Sequence, residues 1–508
     1  MPTTPGVYIQ EINSFPISIV AVETAIPLFI GYTEKAWQNG QSLINKPTRI
    51  QSFDEYRKLF GNDFKSKFKI VEKTQVSERT IKIGNKDFSI RINENENFIF
   101  YKAIQLFYAN GGKICYILSV KTYDGTVNGF AIDLNDFNTV LELLEKEAEP
   151  TLIVLPDVIT KGVQAYNLYH RVLLHCQKMQ NRFAILDVHH QFGKSIEEES
   201  SDFRESIGVD GLHYGAAYYP YLHTSLVNVN EVDFDNIDAS IKLDNLLPER
   251  AAKIALKNFY KLPANASAGN HTVNNLDFKI TSLNTRQDIK ARNKLHKKLL
   301  SVSPAYFKIL EEIRFQLNIL PPSAAMAGIY TMVDQTRGVW KAPANISLSM
   351  VNAPAINLTQ LQREHLNINV NGKSINAIRQ FTGVETLVWG ARTLDGNSID
   401  WKYINVRRTI IMLEQSIKNA LASYVFEPNN ITTWTAINIS VSNFLHILWK
   451  QGALHGNVPQ QAFAVQTGLG ITMTETDITK GILRLNVLLA LARPAEFVNI
   501  VFQQQQMI

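Results

Sequence analysis

The chain has 508 residues, of which 45% are hydrophobic, and a formal net charge of +5. That length accommodates about two to four domains with real cores, and so small a net charge excludes the concentrated basic face that nucleic-acid binding needs. No apolar run is long enough for a transmembrane helix, and the N-terminus has neither the basic nor the apolar region of a secretory signal. Cys115 and Cys176 both lie in apolar runs. They are expected as buried thiols of a reducing compartment rather than a redox pair.

The first element is a short strand-like run, Val7-Tyr8-Ile9-Gln10-Glu11-Ile12, bounded by Pro5-Gly6. Residues 18–33 read as a buried strand with a break at Pro27. Ser52 followed by Glu55 has the spacing of a capping box, and Gly61 stops that helix. From about Asn62 to Asn97 the composition turns to Lys, Glu and Asn. Gly84-Asn85-Lys86-Asp87 predicts a turn there, in an exposed hairpin decoration.

Between residues 98 and 220 strands and helices alternate. Ile114–Leu118, Thr151–Asp157, Phe183–Asp187 and Gly215–Tyr219 read as core strands. Phe98–Ala109, Leu141–Glu147 and Tyr166–Met179 read as helices. This pattern predicts a layered, mixed α/β fold with parallel strands. Residues 225–303 are weakly patterned and read as a surface insertion with some helix. From Pro321 the sequence becomes dense again, and Thr409–Val425 and Trp434–Lys450 have the best helical periodicity. No repeat of solenoid length occurs.

The chain's last strand-like run begins after Arg493-Pro494. Val498, Ile500 and Phe502 share one face of it, while Phe497, Asn499 and Val501 share the other. Two apolar, β-prone termini need somewhere to pair, because a strand with open edges is a template for another chain. These arms predict a protein that joins copies of itself, with an intrachain strand as the plainer alternative.

Chemistry-bearing motifs are sparse. The strand-to-helix turns carry no G-x-G-x-x-G. Asp157 stands where a strand end could hold a ligand or cap a loop. Gly372-Lys373-Ser374 imitates a phosphate loop, but Asn367 replaces the required first glycine, so a turn is the better reading. His189 and His190 point to opposite faces, and His170 and His175 share a helical face poorly. No zinc or serine-hydrolase motif occurs. No catalytic residue, cofactor or metal is expected.

The C-terminal third carries a series of ordered motifs. They are Arg337-Gly338-Val339-Trp340-Lys341-Ala342-Pro343-Ala344-Asn345, Ile375–Arg379, Val388-Trp389-Gly390-Ala391-Arg392-Thr393-Leu394 and Trp401–Arg408. Phe426-Glu427-Pro428-Asn429, Leu448–Leu454 and Pro494-Ala495-Glu496-Phe497 follow. With Pro5-Gly6-Val7-Tyr8 and Thr24–Thr33, the series resembles the tail sheath proteins of contractile phages and phage-tail-like injection systems. The resemblance is strong over residues 1–60 and 320–508 and general in between.

Residue by residue, the tryptophans read as core anchors. Arg407 and Arg408 precede the apolar run Ile410–Leu413. An arginine pair at a helix start opposes the macrodipole, which favours acids there. Intrachain ion pairs are one reading of Arg392, Arg407, Arg408 and the nearby Lys418; contact with a neighbouring subunit or an inner tube is the other.

The resemblance implies a multidomain protomer. Residues 21–60 and 320–490 would form a discontinuous inner domain. Residues 61–319 would project outward, with exposed insertions at about 62–97 and 225–303. Residues 1–20 and 491–508 would be strand-exchange arms, with Val7, Tyr8, Ile9, Ile12, Phe497, Val498, Ile500 and Phe502 pairing in neighbours' sheets. It further implies a helical homo-oligomer of stacked rings around an inner tube protein, with baseplate and tail-terminator partners and room for a second sheath paralogue. Assembly would occur in a bacterial cytoplasm, without nucleic acid or membrane insertion. An oligomeric α/β enzyme or ligand-binding protein is the competing class.

Overall fold

The computed structural model describes residues 18–73, 79–93, 96–123, 131–261, 286–368, 372–381, 383 and 385–496. They divide into two compact units. The larger comprises Ala25–Val333 and Pro343–Ile404; the smaller comprises Asp334–Ala342 and the parts of Met1–Thr24 and Asn405–Ile508 described here.

An eight-stranded sheet organises the larger unit. Its order is Thr386–Trp389, Ile375–Gln380, Gly215–Tyr219, Phe183–Asp187, Leu152–Val154, Pro27–Thr33, Cys115–Thr122 and Thr48–Ile50. The six central strands run parallel, and one antiparallel strand closes each edge. Parallel strands covered on both faces become continuous apolar runs rather than alternating ones. Every residue of Pro27–Thr33, Phe183–Asp187 and Gly215–Tyr219 is accordingly buried. Pro27 begins its strand, where a missing N–H is tolerated. The core against the sheet includes Phe29, Phe107, Val154, Ile185, Met326 and Tyr330.

The predicted N-cap and stop hold, while the Glu55 carboxylate accepts from Gln51 N rather than closing the capping box on Ser52 N. Ser52 Oγ accepts from Glu55 N, and Gly61 ends the helix Phe53–Phe60 at φ +88°, a conformation that favours glycine. The turn at Gly84 joins Ile81–Ile83 to Lys86–Ile92 in a three-stranded antiparallel sheet with Phe68–Glu72. That sheet is more than an exposed decoration. Its Phe68, Ile70, Ile83 and Ile90 share a second core with Ala252, Leu256, Leu299, Tyr306 and Ile313. The segments 62–97 and 225–303, read separately in the sequence, thus pack on each other.

The boundaries of the units also differ from the expected ones. Pro27–Thr33 lies between Cys115–Thr122 and Leu152–Val154, so residues 21–60 share a sheet with part of 61–319. Composition records exposure to water; it does not record which strands pair.

The smaller unit packs two long helices, Ile404–Leu421 and Ile431–Lys450, around Met412, Leu413, Ile437, Val441, Phe444 and Leu448, joined by Ile19 and Val339. Gly338 sits at φ +85°, and a Cβ there would strike the Trp340 ring. A two-stranded antiparallel ribbon, Phe463–Gln466 with Asn486–Leu489, completes the unit.

Candidate assembly surface

The two long helices arise from the strong apolar periodicity after Tyr403 and after Asn430. Asn430 Oδ1 accepts from Thr432 N and Thr433 N and so fixes where the second helix starts. The ribbon rests on that helix. Asn438 Nδ2 donates to Val465 O at 3.3 Å, and Val465, Val487 and Leu489 pack against the helical core. Alternation leaves Asn486 and Leu488 exposed on the opposite side. Among the described residues neither ribbon strand has a second strand neighbour. Each therefore presents an open ladder edge, the feature by which one chain accepts a strand from another.

The arm residues expected to use such edges, Val7, Tyr8, Ile9, Ile12, Phe497, Val498, Ile500 and Phe502, lie outside the described residues. The charged candidates are described. Arg408 is a correction to the expectation of an outside partner. Its guanidinium forms a bidentate pair with Asp334 at 2.6 and 3.0 Å, donates to Thr24 O at 2.9 Å, and is buried. The unfavourable placement of a cation early in a helix is offset inside the protomer by a carboxylate from another segment.

Arg407 is also buried and reaches Glu414 at 3.2 Å, whose carboxylate is half exposed. Arg392 belongs to the larger unit. Its N–H donates to Asn376 Oδ1 at 2.8 Å, its carbonyl accepts from Asn376 Nδ2 at 2.8 Å, and Nη1 donates to Gly396 O. It braces a turn. Lys418 alone of these four is exposed, in the last turn of its helix. The structure thus does not gather the four cations into one site.

The residues weighed for catalysis have structural roles. Asp157 is buried and accepts from Tyr32 N, Ile99 N and Phe100 N at 2.9–3.0 Å, capping the helix Phe100–Ala109 from a distant strand end. Burial pushes its carboxyl up to about 6, although these N–H donors pull it down. Lys373 and Arg204 exchange side-chain hydrogen bonds with each other's carbonyls, which leaves no phosphate cradle at Gly372–Ser374. His190 Nδ1 pairs with buried Glu199, which also accepts from Tyr219 Oη. Cys115 and Cys176 are free and buried, and burial pushes both thiols up to about 12. Among the described residues no His, Cys, Asp and Glu cluster has the geometry of a metal site.

The family described as the phage tail sheath C-terminal domain matches residues 397–505, a span that contains both long helices and the ribbon. The sheath complex of the PVC extracellular contractile injection system, in its contracted state, superposes with a TM-score of 0.61 at 25% identity, covering 99% of this chain and 98% of that one. Residues 397–505 thus match the C-terminal domain of phage tail sheath proteins, and the chain over its whole length is similar to the sheath of a contractile injection system.

The contracted helical sheath of the anti-feeding prophage is similar at a TM-score of 0.61 and 26% identity, over 99% of this chain and 100% of that one. The tail sheath protein of Vibrio phage KVP40 is 24% identical over 166 residues, and the match spans 31% of this chain and 24% of that protein. The chain is a mixed α/β protein, and the family that its C-terminal segment matches and the fold it shares are those of structural sheath proteins. No helix among the described residues is long and apolar enough to cross a membrane.

Proposed function

We propose that this chain assembles in a bacterial cytoplasm as a helix of stacked rings around an inner tube, and that contraction drives the tube through a target envelope. The observation that carries the reading is the ribbon Phe463–Gln466 with Asn486–Leu489. It rests on a helix but has open edges, within the segment matched by the sheath family. A neighbour's N-terminal arm pairs with one edge, and another neighbour's C-terminal arm pairs with the other. The mesh then stays connected while protomers rotate. The work of contraction comes from subunit contacts formed in the final state, without nucleotide hydrolysis.

The C-terminal arm has the chemistry for this. Val498, Ile500 and Phe502 at period two contribute roughly 1.5–3 kcal/mol each on burial, against the cost of ordering the arm. Backbone pairing supplies direction. The insertion core from 62–97 and 225–303 faces outward in this reading, and Lys418 is the cation placed to meet an inner tube or a neighbouring subunit. Baseplate and terminator proteins, and a sheath paralogue where one exists, cap or extend the same helix. Likeness to an anti-feeding prophage baseplate structure, TM-score 0.59 at 26% identity over the whole of both chains, supports the same type of particle.

Truncation after Pro494 tests the arm. The expected product is soluble monomers or short oligomers in negative-stain microscopy, with helical content unchanged by far-ultraviolet circular dichroism. Full-length contractile tubes from the truncated chain would overturn the strand-exchange mechanism.

A further inference from the structure

The motif Phe426-Glu427-Pro428-Asn429 is unexplained by the ribbon. It forms the apex between the two long helices of the smaller unit. Phe426 is 103% exposed and sits at φ +73°. A bulky aromatic residue in the left-handed region is rare and costs about 1–3 kcal/mol. Exposure of its ring to water adds a further cost. Val425 and Ile431 beside it are 61% and 72% exposed.

This apex is held rigidly. Val425 N donates to Ala422 O, Glu427 N to Tyr424 O and Asn430 N to Pro428 O. Asn429 is clamped on both sides: its Oδ1 accepts from Trp434 Nε1 at 2.7 Å, and its Nδ2 donates to Ile482 O at 3.2 Å. The hydrogen bonds thus fix a conformation that displays Phe426. Glu427 next to it is exposed and has no ion pair among the described residues.

The same unit contains a complementary cleft of about 360 Å³. Arg337, Trp340, Lys341, Asn405 and Arg493 are among its lining residues. Arg337 and Lys341 form no ion pair among the described residues. Asn405 is buried; its Nδ2 donates to Trp340 O and Ala492 O, but its Oδ1 has no partner among the described residues. A buried acceptor without a donor costs about 1–3 kcal/mol. The backbone N–H of Phe426 has no partner among the described residues.

We infer that the Val425–Glu427 apex of one protomer docks in the Arg337–Lys341–Asn405 cleft of a second copy of this chain. The Phe426 ring lies against Trp340, a contact for which an aromatic side chain carries roughly 150–250 Å² of burial. Glu427 meets Arg337 and Lys341 at the rim of the cleft. Knob and cleft are different surfaces of one chain, so the contact is head-to-tail. Repeated, it builds a ring or a helix rather than a closed dimer. The occupant is a second copy because the acid and the displayed aromatic ring of the apex answer the unpaired cations and the Trp340 ring of the cleft within this chain itself. The inference rests on the reading of the chain as a self-assembling sheath.

The test uses the full chain, first showing that the unaltered protein forms rods. Absence of rods at that stage would count against the sheath reading and, with it, this contact. In rods of the Glu427→Cys and Lys341→Cys double variant, mild oxidation should give a ladder of disulfide-linked multimers on a non-reducing gel. The native cysteines are both buried, so neither single variant should give one. Assembled rods without a ladder overturn the contact while leaving the sheath reading intact. A charge swap covers a failure of the cysteine variant to assemble. Glu427→Arg should reduce rod yield by more than about tenfold, as expected for a well-placed interface residue. Adding Arg337→Glu with Lys341→Glu should restore it. Unchanged yield in Glu427→Arg, or no recovery in the combined variant, also overturns the contact.

Discussion

In the larger unit, strand Pro27–Thr33 has a parallel neighbour on each side, and all of its residues are buried. In the smaller unit, strand Asn486–Leu489 has one neighbour among the described residues, and Leu488 is 57% exposed. The sheet satisfies its interior ladder within one protomer, and its edges are the short strands Thr48–Ile50 and Thr386–Trp389. The ribbon has no interior strand. An isolated two-stranded ribbon is marginal in water and persists only when packed on something else; here a helix holds one face. The difference teaches where assembly can act without unfolding the protomer. Strands added to the ribbon gain hydrogen bonds and lose none, whereas in the sheet the Thr386–Trp389 edge already exchanges hydrogen bonds with residues 345–348 and the Thr48–Ile50 edge is only three residues long.

The largest expected effect lies in the pair that joins the pieces of the smaller unit. Arg408 links the helix Ile404–Leu421 to Asp334 and to Thr24 O. Replacement of Arg408 by Ala leaves the Asp334 carboxylate buried without its cation, which costs about 3–5 kcal/mol. Hydrogen exchange read by mass spectrometry should show faster exchange across Ile404–Leu421, while Phe183–Asp187 keeps its protection. Equal loss in both would mean that the two units unfold as one and that the contrast drawn above is false.

The sheet has its own sensitive point. Asp187, at the end of a central strand, accepts from Ser323 N and Ser323 Oγ at 2.8 and 2.6 Å. Burial pushes its carboxyl up to about 7, against the pull of those donors. The unfolded value is near 4, so the folded chain binds this proton more tightly than the unfolded chain. The site's contribution is therefore fully present below about pH 4 and is lost as pH rises through about 7. Urea unfolding of the larger unit should show stability falling between pH 5 and pH 8, and Asp187→Asn should flatten that slope. A slope equally steep in the Asn variant would assign it to other groups.

Much of the larger unit was legible because burial on both faces writes itself as an unbroken apolar run. Cys115–Thr122, Leu152–Val154, Phe183–Asp187 and Gly215–Tyr219 were all visible in that way. The place of Ile375–Gln380 beside Gly215–Tyr219 was not, since pairing across so long a separation leaves no local signal. The same limit concealed Asp334 as the partner of Arg408. The macrodipole argument noted a cation that its own helix start does not compensate but could not say that the compensating carboxylate lay in the same chain. The ribbon was missed because its four-residue strands, separated by Thr467–Leu485, lack a hairpin's short turn. The motif at Phe426 was seen, but its strained, displayed geometry is a property of the fold.

The smallest expected effect tests whether stability and assembly separate as the comparison requires. Ser52 Oγ accepts from Glu55 N at 3.2 Å, while Glu55 Oε2 accepts from Gln51 N at 2.8 Å. The exchange resembles a capping box displaced by one residue, since the carboxylate serves Gln51 rather than Ser52. The helix it starts, Phe53–Phe60, buries Tyr56, Leu59 and Phe60 in the core of the larger unit. Ser52→Ala removes one cap acceptor and should lower the stability of that unit by about 1 kcal/mol, read as a shift in the urea midpoint. It touches neither the ribbon nor the Phe426 apex. Rod yield should therefore match that of the unaltered chain while the midpoint falls. A fall in rod yield as large as that from an interface substitution would show that assembly draws on the stability of the sheet as well as on open edges.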